Sequence, residues 1–520
     1  MQKNIINKLL SFIITHKNIL CFVISLIFIQ TVFSAAKLNQ LFLDGRYHVF
    51  IDNAFFLNLA KHSNDKSVKS IKKLAGVTSY SYASDGKIKQ ISHYNHHPVL
   101  SPALFRLYTK IFGYNEWVPR SFSLILSLLL TITLFLFLHS LTNNWLLSWL
   151  ISLVFIFLPI NYLYHAQMKY FHLALLIVVA YLFLLQFIHK SKYHRYAFFT
   201  LFFLSFHTDW PAYFAGFGII VYLFFKRHDY KDLWQELSLI AAISILLNFI
   251  ILVSLGLNPT NANSLVQFRL DDGITNISMW IAKQVSFINY NFSAVNFFVF
   301  SFFLLFLTIF SIIKKKNIFN NYAFISAALC FLMGFGYAII FRNLSYIHHY
   351  LHAFYALSYI LLITSFFIVL KNEFKDNNTL NIIGISLLSI ILCFSIYFAL
   401  KNEKTMRKSF FGKNNDIVTI KQMKKRIIYS NLSGPNGWWN SALISFYTNR
   451  IVKNVPWNIN TIKITDVKTF NSTQDLIVFA NYQNPKSIEK VMQILKERIK
   501  VKEFKLYKKT PSFSFYTFSF

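Results

Sequence analysis

Apolar runs recur along almost the whole chain, near 19–37, 121–139, 146–163, 170–189, 196–206, 212–225, 236–256, 293–313, 321–341, 350–370 and 380–400. A helix needs about 20 apolar residues to cross the hydrocarbon core of a bilayer, and most of these runs approach or reach that length. The chain is therefore expected to be a polytopic α-helical membrane protein with about eleven transmembrane segments. A β-barrel is excluded, because barrel strands alternate in polarity and these runs do not. Two runs, 196–206 and 212–225, are short and flank HTDWPAY. They form either a tilted pair of crossings or a re-entrant hairpin.

Basic residues set the orientation. The chain carries 52 Lys and Arg against 20 Asp and Glu, a formal net charge of +32. Short cytoplasmic loops are enriched in Lys and Arg. With Lys3, Lys8 and Lys17 in the cytoplasm, KSKYHR, FKRHDYKD, KKKN and KNEFKDNN all fall on that side. The opposite short loops carry little more than Lys169 and Arg342. The excess base either contacts anionic headgroups, making membrane lipids a partner, or is a lysine-rich bias without one. No basic module with a nucleic-acid-binding motif is present, so nucleic acid is not an expected partner.

This topology puts three large pieces outside: the first loop at about 38–120, a middle loop at about 257–292 and everything after 400. The expected domains are a transmembrane domain over 1–400 and a soluble extracytoplasmic α/β domain over 401–520. In the tail DIVTI, RIIYSNL and DLIVFAN read as strands, and WNSALISFYTNRIV and SIEKVMQILKERI as helices. Residues 19–36 resemble a signal peptide ending in VFSAA, but the run exceeds the usual h-region and reads as an uncleaved first helix. Cys21, Cys330 and Cys393 lie in apolar runs without metal-ligand spacing, so neither disulfides nor thiol chemistry are expected. There is no P-loop, no strand-preceded GxGxxG and no repeat of fixed period, and no nucleotide site or other cofactor is expected.

Chemistry-bearing residues collect near the ends of the apolar runs. Asp44 and Asp52 stand in LFLDGRYHVFIDNAFFLNLAKH, where apolar residues around Asp52 read as a helix on the membrane surface. An acid at such a start is either an N-cap or a carboxylate held ionised by the helix dipole. Further on, SHYNHHPVLSP leads into the amphipathic ALFRLYTKIFG, with Gly113 as the expected C-cap. His97-Pro98 reads as a stiff turn. His93, His96 and His97 have spacings a metal could use on a helix, which the nearby prolines argue against, and no metal is assigned. Asp209 in HTDWPAY caps the next segment if the hairpin reaches the surface, or faces a cavity if it is re-entrant.

Taken together, the D-x-A-x-x-x-x-x-A pattern from Asp52, the His97-Pro98 turn, a surface helix ending in FG, and Glu116 and Arg120 in NEWVPRS before an apolar run resemble the GT-C glycosyltransferases. The likeness is to the branch of protein O-mannosyltransferases and bacterial aminoarabinose transferases. SYIHHYLHAFYALS and TDWPAYF are similar to later segments of bacterial members. The resemblance implies a multi-pass enzyme of the cell inner (plasma) membrane that transfers a sugar from a polyprenyl-phosphate donor to an envelope glycan, lipid or protein acceptor on the outer face. It implies Asp52 as the general base, with Asp44 as fallback, although this chain has Asn53 where the family often has Glu. The lipid-phosphate leaving group needs cations and donors. Arg342, Lys169, His348, His349 and Tyr350 are the candidates, with His97, Glu116, Arg120 and Asp209 as substrate-binding residues. For Arg342 and the histidines, interfacial anchoring is the alternative.

Two other functions fit a polytopic protein acting on lipid-linked glycans. A transporter or flippase would want repeated halves and charges within the helices, and neither is visible. A polymerase or ligase of O-antigen type would carry its large outer loop late, and here it comes first. A non-enzymatic scaffold leaves the acid-bearing first loop without a role.

Overall fold

The structure is a computed structural model. It describes residues 17–42, 97–115, 117–165, 171–230, 232–255, 277–315, 320–342, 345, 349–373 and 378–410, parts of 56–61 and 489–497, and strands at 77–82, 88–93, 426–430, 453–454, 475–480, 503–509 and 513–519. The chain divides into two compact units. The first comprises Met1–Ala36, Ser123–Val253 and Leu257–Thr405; the second comprises Lys37–Phe122, Ser254–Gly256 and Met406–Phe520.

Each expected apolar segment is helical over most of its length. The helices are α1 (Lys17–Phe42), α2 (Leu100–Phe112), α3 (Trp117–Thr142), α4 (Trp145–Phe157), α5 (Pro159–Tyr164), α6 (Phe171–Leu185), α7 (Lys192–Ser205), α8 (Pro211–Phe225), α9 (Leu233–Ser254), α10 (Ile277–Lys314), α11 (Tyr322–Ile340), α12 (Ala353–Glu373) and α13 (Asn378–Phe410). Among the described residues six helices are long and apolar enough to cross a membrane: α3, α9, α10, α11, α12 and residues 382–404 of α13. Shorter apolar helices are 19–34 of α1, α4, α6 and α8. The protein is a polytopic helical membrane protein.

In the first unit α12 is the central helix, with nearly every residue from Ala353 to Phe367 buried. Close approach to it requires a glycine. A Cβ on Gly334 of α11 would stand 2.8 Å from the Tyr355 ring, the small-residue contact by which membrane helices approach one another. The outward faces of α9 and α10 expose Leu239, Leu246, Phe249, Phe298, Leu305 and Ile312, which suits lipid rather than water.

Several spans are broken. α4 and α5 share one expected crossing, separated by Leu158 in extended conformation (ψ 129°) before Pro159. Proline lacks the N–H that would reach the carbonyl four residues back. That carbonyl belongs to Phe155, and Asn161 Nδ2 donates to it at 2.8 Å. α10 bends at Ser293, whose φ of 70° and ψ of 155° lie outside the helix. Its first half corrects an expectation: residues 277–292, read as part of an outer loop, are helical.

α7 and α8, of 14 and 15 residues, are each about 21–23 Å long. Neither spans the roughly 30 Å hydrocarbon core alone. The turn between them is buried at His207, Thr208 and Asp209.

In the second unit α2 ends as expected at Gly113, which takes φ 80° and whose N–H donates to Thr109 O at 2.8 Å. Ser101, Phe105 and Thr109 form its buried face, while Leu107 and Ile111 are exposed. Phe56, Leu57 and Leu59–Lys61 are helical, and the four apolar residues among them are buried. Strands β1 (Val77–Tyr82) and β2 (Ile88–His93) form an antiparallel hairpin.

The tail forms a five-stranded mixed sheet of β3 (Arg426–Ser430), β4 (Lys453–Asn454), β5 (Asp475–Ala480), β6 (Glu503–Lys509) and β7 (Phe513–Ser519), in the order β4-β3-β5-β7-β6. β3 runs parallel to β4 and β5, and β7 runs antiparallel to β5 and β6. Leu476, Phe515 and Phe518 are buried. The edge strand β6, EFKLYKK, is mostly exposed, and its lysines protect the edge from further pairing. The expected strands RIIYSNL and DLIVFAN are present as β3 and β5. DIVTI and WNSALISFYTNRIV lie outside the described residues, as does most of SIEKVMQILKERI.

Candidate functional site

Irregular backbone in the first unit converges at one end of its helices. The short α5, the first half of α10 and a 3₁₀ turn at His349–His352 contact one another, and α12 begins directly after that turn. The Tyr164 and Phe171 rings meet edge-on at 6.3 Å, and Phe171 meets Phe354 in the same way at 6.3 Å. These contacts gather two separate stretches. Lys169 lies between His165 and Phe171, and His348 lies between Ser345 and the 3₁₀ turn. The chain flanking both groups of phosphate-binding candidates is thus brought to one place. Arg342, partly exposed, follows α11 on the way to Ser345.

Polar side chains absent from the sequence expectations tie this region together. Trp280 Nε1 donates to Ser345 Oγ at 2.9 Å, and Gln284 Nε2 donates to Ser345 O at 3.0 Å. Gln284 Oε1 stands 2.8 Å from His352 Nε2. Asn402 Nδ2, on α13, donates to Tyr290 O at 2.5 Å, and the next residue, Glu403, accepts from Tyr162 Oη at 3.0 Å. Below the bend Tyr359 Oη donates to Asn296 Oδ1 at 3.0 Å, and Asn296 Nδ2 donates to Ser395 Oγ at 3.2 Å. Gln284, Asn291, Ser293 and Asn296 are all buried. A buried polar set of this density is costly unless its members satisfy one another, and such residues in membrane helices face protein or cavities rather than lipid.

A second polar group surrounds Asp209. Asn248 of α9 donates from Nδ2 to Phe206 O and to Tyr213 Oη, both at 2.7 Å, and its Oδ1 lies 2.7 Å from His207 Nδ1. Asp209 Oδ1 accepts the N–H of Trp210 at 2.8 Å, immediately before α8 with Pro211 at its first position. Asp209 stands one residue before Trp210, the N-cap of that helix, and it is buried.

In the second unit His97 is half-buried and Pro98 and Val99 are buried just before α2. His93 ends a strand, so the histidines of SHYNHHP do not share a helix. α2 docks on the first turns of α3, where the Phe105 and Phe122 rings lie 5.3 Å apart and Tyr108 Oη is 2.8 Å from Ser121 Oγ. Arg120 beside it is 1% exposed. A buried guanidinium is stable only where acceptors surround it. Burial lowers the Arg106 pKa, with Tyr114 opposing. Asp44, Asp52, Glu116, Lys169 and His348, and the side chains of His349 and Tyr350, lie outside the described residues.

A cavity of about 330 Å³ opens at the opposite end of the first unit, among Leu307, Phe310, Asn320, Tyr322, Asn372 and Glu373. None of the candidate residues lines it.

Neither a protein-family model nor a curated protein matches the sequence. Solved structures do. The chain shares its fold with ArnT from Cupriavidus metallidurans. The structure of ArnT bound to undecaprenyl phosphate superposes with a TM-score of 0.60 over 95% of this chain and 97% of that one, at 12% identity. Its apo structure gives 0.55 over 94% and 97%, at 13% identity. The chain therefore has the fold of ArnT over most of its length.

Proposed function

We propose that this protein is a GT-C-type membrane glycosyltransferase that moves a sugar from a polyprenyl-phosphate donor to an envelope glycan, lipid or protein acceptor on the outer face of the inner (plasma) membrane. The observation that carries the reading is the fold shared with ArnT, a protein solved with undecaprenyl phosphate bound. The contact of the helix before Lys169 with the turn at His349–His352 supports a place for the lipid phosphate. The lysine-bearing loops support a cytoplasmic N-terminus, which puts this end of the bundle and the soluble domain over 401–520 outside.

In this reading the acceptor hydroxyl oxygen attacks the anomeric carbon while Asp52 takes its proton, with Asp44 as the alternative base. The bond from that carbon to the phosphate oxygen breaks, and polyprenyl phosphate leaves with the electron pair. Arg342, Lys169, His348, His349 and Tyr350 hold the growing phosphate charge. His97, Glu116, Arg120 and Asp209 hold substrate. The test is Asp52→Asn in purified protein given a polyprenyl-phosphate sugar. The expected loss of transfer is at least about 100-fold; unchanged transfer rejects Asp52 as the base, and lipid-linked sugar transport without transfer rejects the enzyme. Mass spectrometry of envelope glycans and lipids, with and without the gene, identifies the donor sugar and acceptor.

A further inference from the structure

One carboxamide closes the segment that carries most of the phosphate-binding candidates. Gln284 Nε2 donates to Ser345 O at 3.0 Å and Gln284 Oε1 lies 2.8 Å from His352 Nε2, so both ends of residues 345–352 are tied to a single side chain. A carbonyl oxygen only accepts, which fixes the amide nitrogen toward Ser345 and the amide oxygen toward His352. His352 must then carry a proton on Nε2. One helical turn earlier, Trp280 Nε1 donates to Ser345 Oγ at 2.9 Å. The same hydroxyl lies 3.0 Å from Ala338 O and 2.9 Å from Arg342 O, so the clamp extends back to the end of α11.

The rest of this part of α10 shows how much depends on that contact. From Ile277 to Tyr290 every residue except Gln284 is exposed or only partly buried. The helix leaves its regular path at Ser293, so its first half is not held in line by the second. Trp280 and Gln284 reach Ser345 and His352 through polar bonds, and the Phe287 ring meets the His352 ring edge-on at 5.9 Å. Within that segment lie His348, His349 and Tyr350, and Arg342 is three residues before it. Groups that stabilise a developing phosphate charge work best when fixed beforehand, because they then reorganise little during reaction.

We propose that Gln284, assisted by Trp280, is a positioning residue that ties Ser345 and His352 to α10 and so fixes the backbone that carries Arg342 for the lipid phosphate. The inference rests on the proposed glycosyltransferase reading. Gln284→Leu removes both bonds at nearly constant volume. Gln284→Glu keeps an acceptor for His352 and loses the donor to Ser345. Trp280→Phe removes only the bond to the Ser345 hydroxyl.

The experiment measures binding of undecaprenyl phosphate, without sugar, to the purified full chain in nanodiscs, alongside transfer kinetics and the unfolding midpoint of the ligand-free protein. Gln284→Leu is expected to weaken binding and raise the donor KM by about tenfold, with kcat within about twofold. Gln284→Glu and Trp280→Phe are expected to give about threefold weakening each, with ligand-free midpoints near that of the native protein. Trp280→Phe remains informative if Gln284→Leu does not fold. Binding within twofold of native in every variant that folds overturns the inference, as does a loss confined to kcat. If the native protein binds no undecaprenyl phosphate, the glycosyltransferase reading falls and this inference with it, an outcome distinct from native binding that the variants leave intact.

Discussion

Replacing Asn248 by Leu tests whether one amide holds the α7–α8 hairpin. The Asn248 side chain makes three bonds of 2.7 Å, to Phe206 O, Tyr213 Oη and His207 Nδ1. Phe206 follows the last residue of α7, and its carbonyl is among those a helix end leaves without a helical donor. A side-chain hydrogen bond between membrane helices is worth about 0.6 kcal/mol on average and about 1.7 at most. A buried acceptor left unsatisfied costs about 1–3 kcal/mol. Asn248→Leu, nearly isosteric, is therefore expected to cost about 3 kcal/mol, while Tyr213→Phe and His207→Phe cost about 1 kcal/mol each. The triple loss should exceed the sum of those single losses, because only Asn248→Leu strands the Phe206 carbonyl. SDS titration of purified protein in mixed micelles, followed by tryptophan fluorescence, gives the three free energies. A cost below about 1 kcal/mol for Asn248→Leu refutes the reasoning, since a turn that tolerates it has water or another donor at Phe206 O.

Further expectations concern the other breaks and buried groups. Asn161→Leu should destabilise by about 1–3 kcal/mol by stranding Phe155 O, and much of that should be recovered by adding Pro159→Ala, which restores a backbone N–H; the same titration on single and double variants measures it. Gly334→Val places a side chain 2.8 Å from the Tyr355 ring and should cost about 1–3 kcal/mol, less in a Tyr355→Leu background. Tyr162→Phe removes the donor to Glu403 and should lower stability by about 1–2 kcal/mol, read from the unfolding midpoint. Arg120→Met should abolish transfer, and Arg120→Lys should not restore it, because an ammonium cannot reproduce the planar fork of a fully buried guanidinium.

The apolar runs were enough to locate the helices, since length and hydropathy are local properties. Gly113 was legible for the same reason: a glycine after an amphipathic stretch has one usual role, and it takes the positive φ that role requires. Residues 277–292 were not legible as helix because Lys283, Gln284, Asn289 and Asn291 made them read as loop. A signal was present, since Trp280, Gln284, Phe287 and Asn291 recur at helical spacing and form a single stripe. β6 and β7 were not read as strands, although EFKLYKK and FSFYTFS both alternate over part of their length. At the site Gln284, Trp280 and Asn248 were not among the residues named in advance, and neither were their partners. The pairing of Gln284 with Ser345 and His352 spans 61 and 68 residues of chain, and that of Asn248 with His207 spans 41. No local pattern encodes such distances.

Among the described residues three interruptions of the helical bundle share one chemical solution. At Pro159 the orphaned Phe155 carbonyl is taken by Asn161; after α7 the Phe206 carbonyl is taken by Asn248; and three residues before the bend at Ser293 the Tyr290 carbonyl is taken by Asn402. A carboxamide suits this task because it donates without carrying charge, so it satisfies backbone at membrane depth at far less cost than a lysine would. Two of the interruptions, at Pro159 and Ser293, fall in helices that contact each other and the 3₁₀ turn at His349–His352. Broken helices are tolerated in a bilayer where they line a cavity or are enclosed by protein. The described bundle is thus irregular where the chain flanking the candidate phosphate-binding stretches comes together, and its asparagines are what let the backbone depart from helix there without leaving those carbonyls exposed to lipid.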